Sequence, residues 1–202
     1  MKTFIINNLI VYSEKETYKN GYIKVVDGKI AEVGPVSQYK QNDDAKVITL
    51  SPDYQVIPGA IDIHIHGASN SDAMDATHEA LSTMAETLPK EGTTSFLATT
   101  MTQSTEAIES ALLNAGKYIE NQTQEHAEIV GIHLEGPFIS PARKGAQPEE
   151  YIIDPDVTLF KRWQEMAENQ IKLVTLAPEQ PNGLDLAAHL RGTGVVASIG
   201  HS

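Results

Sequence analysis

Two textures divide the chain. Before residue 56 the apolar residues come in short runs broken by turn formers. Tyr22-Ile23-Lys24-Val25-Val26 and Lys29-Ile30-Ala31-Glu32-Val33 flank Asp27-Gly28, a dipeptide suited to the positive φ angles of a tight hairpin turn. Gln38 to Asp44 is polar and loop-like, and Val47-Ile48-Thr49-Leu50 begins another strand closed by Ser51-Pro52-Asp53. Residues 1–55 therefore predict a small β module that could bury little by itself.

From residue 56 short apolar runs alternate with stretches of helical period. A β-rich run spans Val56 to Gly67, and a helix follows near Thr77 to Lys90, capped by Thr77, with Leu81, Met84 and Leu88 on one face. Thr94 to Thr100 is the second strand. The next helix starts near Ser104 and turns Ile108, Leu112, Ala115 and Ile119 inward. Ala127 to Leu134 is the third strand, and a long loop with Pro141, Gly145 and Pro148 follows it. Asp154-Pro155 reads as a cap and first turn for a helix bearing Phe160, Trp163 and Ala167. Ile171 to Leu176 is the fourth strand, Gly183 to Leu190 a short helix ended by Gly192, and Gly194 to Ile199 the fifth strand. Strand and helix repeated in this order predict an α/β fold with a parallel sheet or barrel over residues 56–202.

Unusual polar residues fall at the carboxyl ends of these strands, where α/β folds carry their chemistry. The first strand ends Asp62-Ile63-His64-Ile65-His66-Gly67, the third His133-Leu134-Glu135-Gly136-Pro137, and the fifth Ser198-Ile199-Gly200-His201. His64 and His66, two apart on a strand and roughly 6.6 Å apart along it, project to one face. Ile63 and Ile65 then face the covering helices. Two imidazoles at this spacing converge on one cation. Glu135 adds a carboxylate that binds one metal or bridges two, and His201 adds a third imidazole. Such a set suits a divalent ion (Zn, Fe, Mn or similar), one or two in number. His133 lies one layer deeper than Glu135 and reads as a supporting residue, as does Asp62 beside His64. His78 and His189 fall on helices as surface or packing residues, and His126 in a solvated turn.

Composition narrows the classes further. The 202 residues hold 15 Lys+Arg against 27 Asp+Glu, a formal net charge of −12, which leaves no diffuse footprint for nucleic acid or an anionic membrane. There is no cysteine, so thiolate metal sites, disulfides and cysteine nucleophiles are excluded. No apolar run reaches the roughly 18 residues of a membrane span, and Phe4-Ile5-Ile6 is too short for a signal peptide, so a cytoplasmic protein is expected. Asn121-Gln122-Thr123 matches a glycosylation acceptor without a secretory context. Arg143-Lys144-Gly145 is a small basic loop that could help an anionic substrate enter. No P-loop, dinucleotide fingerprint or G-x-S-x-G elbow is present.

The hairpin at Asp27-Gly28 followed by Val56-Ile57-Pro58-Gly59-Ala60-Ile61-Asp62-Ile63-His64-Ile65-His66-Gly67 resembles the amidohydrolase superfamily of metal-dependent hydrolases. Within it, His133-Leu134-Glu135-Gly136-Pro137-Phe138, Lys144-Gly145-Ala146-Gln147 and Ser198-Ile199-Gly200-His201-Ser202 resemble the N-acetylglucosamine-6-phosphate deacetylases. The resemblance implies a (β/α)8 TIM-type barrel beside a small β-sandwich, with about five of the eight strands in residues 56–202. It implies hydrolysis of the N-acetyl group of a phosphorylated amino sugar to give acetate. By the same resemblance Glu135 is the carboxylate metal ligand, His201 a later histidine ligand, and His64 and His66 ligands of a second metal. Ala146, with Gln147 beside it, falls where the backbone meets the sugar, and the assembly is a homodimer.

Relatives that bridge their metals through a modified lysine carry it at the end of the fourth strand. Here that strand ends Thr175-Leu176-Ala177-Pro178 and has no lysine. The family's acid–base aspartate and a further histidine ligand come from later strands. The expectation is therefore an N-terminal part of a longer enzyme, inactive alone, with no catalytic aspartate before Ser202. The competing readings are another superfamily deacetylase or cyclic amidase, and a non-catalytic metal-binding fragment.

Overall fold

The computed structural model describes residues 3–40, 45–123 and 125–202. Positions 41–44 of the expected polar loop lie outside the described residues, as do Met1 and Lys2. The chain forms two compact units, Met1–Gly59 and Ala60–Ser202. No helix among the described residues is long and apolar enough to cross a membrane.

The first unit is a five-stranded sheet built on β1 (Thr3–Tyr12). β1 runs antiparallel to β2 (Thr17–Val26), which turns through Asp27 (φ 49°) and Gly28 (φ 80°) into antiparallel β3 (Lys29–Pro35). Both turn residues take the left-handed conformation that such a two-residue hairpin requires. β4 (Lys46–Thr49) and β5 (Gln55–Val56) lie parallel to β1, so Val56, where the sequence texture changes, pairs with Val11. Leu9, Val11, Ile23 and Val25 form its buried cluster.

The second unit carries five parallel strands in the order β10-β9-β8-β7-β6, with a helix between each consecutive pair. These are β6 (Ala60–Ile65), α1 (His78–Thr87), β7 (Thr93–Thr99), α2 (Thr105–Asn121), β8 (Glu128–Glu135), α3 (Val157–Met166), β9 (Ile171–Leu176), α4 (Gly183–Thr193) and β10 (Val196–Ile199). This is the succession of a (β/α)8 barrel over five of its strands. Thr77 and Ser104 cap α1 and α2 by accepting the backbone N–H groups of Ala80 and Ala107. The core lies between helices and sheet, where Trp163 is fully buried and stacks on Phe138 at 5.6 Å between ring centroids.

Three local expectations need correction. The cap of α3 is Asp156, which accepts from the N–H groups of Thr158 (2.7 Å) and Leu159 (3.0 Å). A proline disfavours helical backbone at the residue before it, which accounts for the helix starting one carboxylate later. α4 runs past Gly192 to Thr193 and stops at Gly194, whose φ of 78° is the left-handed stop that glycine permits. β10 consequently begins at Val196 and not at Gly194. Ile63 is not buried under the helices: it is 55% exposed, whereas Ile65 packs against the core. The pairing of β6 with β7 is irregular between Asp62 and Ile65, and that bulge breaks the expected alternation.

β8 is bulged as well. Phe96 pairs with Ile129 and Leu97 with Gly131, leaving Val130 as the extra residue. Ile129, Ile132 and Leu134 therefore all join the helix-side core, and His133 and Glu135 face the opposite side of the sheet. The bulge aims the two polar residues together.

Candidate metal centre

At the carboxyl ends of β6 and β8, His64, His66 and Glu135 offer ligand atoms that all lie within 4.8 Å of one another. His66 Nε2 is 2.8 Å from Glu135 Oε2, and His64 Nε2 is 3.7 Å from Oε1. His201, just beyond β10, brings its Nε2 to 3.1 Å from Glu135 Oε1. One buried carboxylate is thus ringed by three imidazoles from two other strands.

The electrostatics follow from this packing. Burial is the largest single influence on Glu135 and opposes its ionisation. Hydrogen bonds from His66 and His201, with the charge of His64 and His66, outweigh burial and carry its pKa down to about 2. The hydrogen bond to Glu135 raises the His66 pKa against a smaller opposing effect of burial. His201 Nδ1 lies 3.1 Å from the Arg143 carbonyl, a group that can only accept. Nδ1 therefore carries a proton, and Nε2 is the ring nitrogen turned toward Glu135, where its lone pair would meet a cation once Nε2 gives up its own proton. A carbonyl-oriented imidazole and a carboxylate at shared vertices are the donors of a divalent-metal site, so the residues fit such an ion.

Supporting groups hold these ligands in place. His133, 3% exposed, spans the interior of the curl: its Nδ1–H donates to the Ile63 carbonyl (2.9 Å) and its Nε2 accepts from the Thr175 hydroxyl (2.8 Å). Burial drives its pKa down to about 4, so the imidazole is neutral. Asp62 Oδ1 accepts from the His64 backbone N–H at 3.0 Å, and Thr99 Oγ1 accepts from that of Ile65 at 3.1 Å. Both side chains replace ladder bonds lost at the β6 bulge. The carbonyl of His201, a residue in the left-handed region (φ 51°), accepts from Ser140 N–H at 2.9 Å, which ties the loop after β8 to the end of β10.

Of the two positions expected near a substrate, Ala146 is exposed and Gln147 is 5% exposed, with its amide turned toward Glu135. His78 packs at a tilt against Tyr118, His189 meets Phe160 edge-on, and His126 sits beside Glu86, so all three stand apart from the cluster. Thr175 and Thr99 were not visible as site residues in the sequence. The only available signal was a polar residue at a strand end.

The amidohydrolase family profile matches residues 55–193, more than half the chain. The chain belongs to the amidohydrolase family. The chain is 45% identical over 203 residues to the N-acetylglucosamine-6-phosphate deacetylase of Bacillus subtilis, an alignment that covers 100% of this chain and 51% of that protein. Among solved structures it superposes on the N-acetylglucosamine-6-phosphate deacetylase of Pasteurella multocida with a TM-score of 0.86 at 27% identity, over 99% of this chain and 51% of the other. The Mycobacterium smegmatis deacetylase in complex with N-acetyl-D-glucosamine-6-phosphate gives a TM-score of 0.84 at 26% identity, over 100% and 50%. The chain spans about half the length of the curated relatives it matches.

Proposed function

We propose that the protein hydrolyses the N-acetyl group of N-acetylglucosamine 6-phosphate to acetate and glucosamine 6-phosphate, at a divalent-metal site formed by His64, His66, Glu135 and His201. The observation that carries the reading is Glu135, a buried carboxylate held between the Nε2 atoms of three histidines at the carboxyl end of the sheet. The 45% identity to a deacetylase supports the substrate class. A divalent ion bound there supplies Lewis acidity and a nucleophile at neutral pH, the two needs of amide hydrolysis.

The chain's own residues prepare for that ion. The Arg143 carbonyl fixes the tautomer of His201. The neutral His133 and the Asp62 carboxylate hold the β6 backbone, so that His64 and His66 keep their Nε2 atoms on the side of Glu135. Exposed Ala146 and the backbone beside it are the proposed contact with the sugar, and His64, His66, Glu135 and His201 would hold one or two ions. The fourth strand ends Thr175-Leu176-Ala177-Pro178 with no lysine, and Thr175 is committed to His133, which weighs against a lysine-bridged cyclic amidase.

Acetate release by the native protein purified with its metal tests the reading. Turnover of N-acetylglucosamine 6-phosphate is expected to exceed that of unphosphorylated N-acetylglucosamine and of cyclic amides. Preference for a cyclic amide would replace the proposal with that activity.

A further inference from the structure

We infer that the Gln147 side chain is a positioning residue that sets the rotation of the Glu135 carboxylate. The inference rests on the metal-site reading above. Gln147 is 5% exposed, and both ends of its amide are committed to protein groups. Its Oε1 accepts the backbone N–H of Thr102 at 2.9 Å, and its Nε2 donates to Glu135 Oε2 at 3.0 Å. The Thr102 N–H can only donate, so the amide oxygen must face it and the NH2 group must face the carboxylate. A flipped amide would set oxygen against oxygen at Glu135 and N–H against N–H at Thr102. The orientation is therefore forced by chemistry, not chosen by convenience.

That bond selects how Glu135 meets its histidines. With Oε2 held by Gln147 and His66, Oε1 is left toward His64 and His201, and the carboxylate serves two sides at once. Gly136 makes the arrangement possible. A Cβ there would lie 2.0 Å from Thr102 Oγ1, so the missing side chain lets Thr102 close against the backbone just after Glu135. The loop after β8 and the residues after β7 are thereby joined through one amide to one metal-ligand carboxylate. The sugar contact proposed above belongs to the Ala146 backbone, while the Gln147 amide oxygen and nitrogen are each engaged by protein groups.

The test uses Gln147→Leu, which removes both bonds, with Gln147→Met as a flexible isostere should leucine impair folding. Co2+ affinity by competition with a chelator is expected to fall about 10–100-fold in either variant, the usual cost of losing a partner of a metal ligand. The Co2+ visible spectrum is expected to change with it. In the metal-free proteins, hydrogen exchange at the Thr102 amide is expected to accelerate at least tenfold. Wild-type Co2+ affinity and spectrum in a folded variant would overturn the positioning role. Unchanged Thr102 exchange would overturn the clamp itself, whatever the metal result. Failure of the parent chain to bind Co2+ would instead count against the metal-site reading, with the Thr102 exchange still deciding the clamp.

Discussion

Strands β6 and β8 carry the same kind of message, polar residues spaced two apart at a carboxyl end, and live in different surroundings. β8 is central, paired on both sides, and its last five residues, Gly131 to Glu135 excepting none, are buried. β6 pairs only with β7 among the described residues, and its Ile61 and Ile63 are 66% and 55% exposed. Glu135 has a side chain 6% accessible, against 45% for His64 and 31% for His66. The buried strand supplies the charge, and the exposed strand supplies imidazoles that are steadied from outside it. The difference shows that equal spacing in sequence does not give equal rigidity in the fold.

The largest way to break the contrast is to hollow out β8. Leu134→Ala, at a fully buried position, is expected to cost about 2–5 kcal/mol of stability in denaturant unfolding. A loss below 1 kcal/mol would mean that β8 is not the rigid partner. Glu135→Gln keeps the shape and removes the charge. It is expected to lower metal affinity by about 100-fold or more, read by elemental analysis after dialysis, since it strips the one carboxylate from the ring of histidines. Retained stoichiometry would take Glu135 off the ligand set.

His133→Gln probes the bond that ties the two strands together. It is expected to destabilise by about 1–3 kcal/mol, because the Ile63 carbonyl and Thr175 hydroxyl lose their shared partner. The same variant has a pH signature in the metal-free protein. The folded pKa of His133, about 4, lies below the ordinary 6.5. The unfolded chain then binds the proton first, so the stability contribution is whole above pH 6.5 and drains away as pH falls toward 4. Glu135, lowered from 4.5 to about 2, extends the loss below pH 4.5. His66, with a raised pKa, acts in the opposite direction: its contribution is present below 6.5 and fades as pH rises through its folded value. Melting temperature against pH should flatten between 6.5 and 4 in His133→Gln, and an undiminished slope would assign that window to another group. The smallest effect belongs to the edge. Ile63→Thr is expected to stay within about 0.5 kcal/mol of the parent, as exposed substitutions do.

How much of this was legible in the sequence varies element by element. Thr77 and Ser104 were readable as caps because a hydroxyl three residues before the capped N–H is a local relation. Asp156 was missed because two acids flank Pro155, and the proline's effect on its predecessor decides between them. His64 and His66 were readable as a pair. Ile63 was not readable as exposed, because its burial depends on which elements flank β6, and β6 pairs only with β7 among the described residues. Thr175 carried no signature as a site residue, and the motif that marked Gln147 said nothing of its bonds, which reach Glu135 and Thr102, 12 and 45 residues away.

The sequence by itself determined the order of strands and helices, the hairpin at Asp27-Gly28, and the strand ends that carry histidine and glutamate. These depend on period, turn chemistry and capping, which act over a few residues. Only the tertiary structure decided which polar residues meet. His66 and Glu135 are 69 positions apart and touch at 2.8 Å. Parallel pairing brings the strand ends level, and the bulges in β6 and β8 turn the side chains. Neither pairing partner nor bulge is written in any single strand, because each is a relation between two.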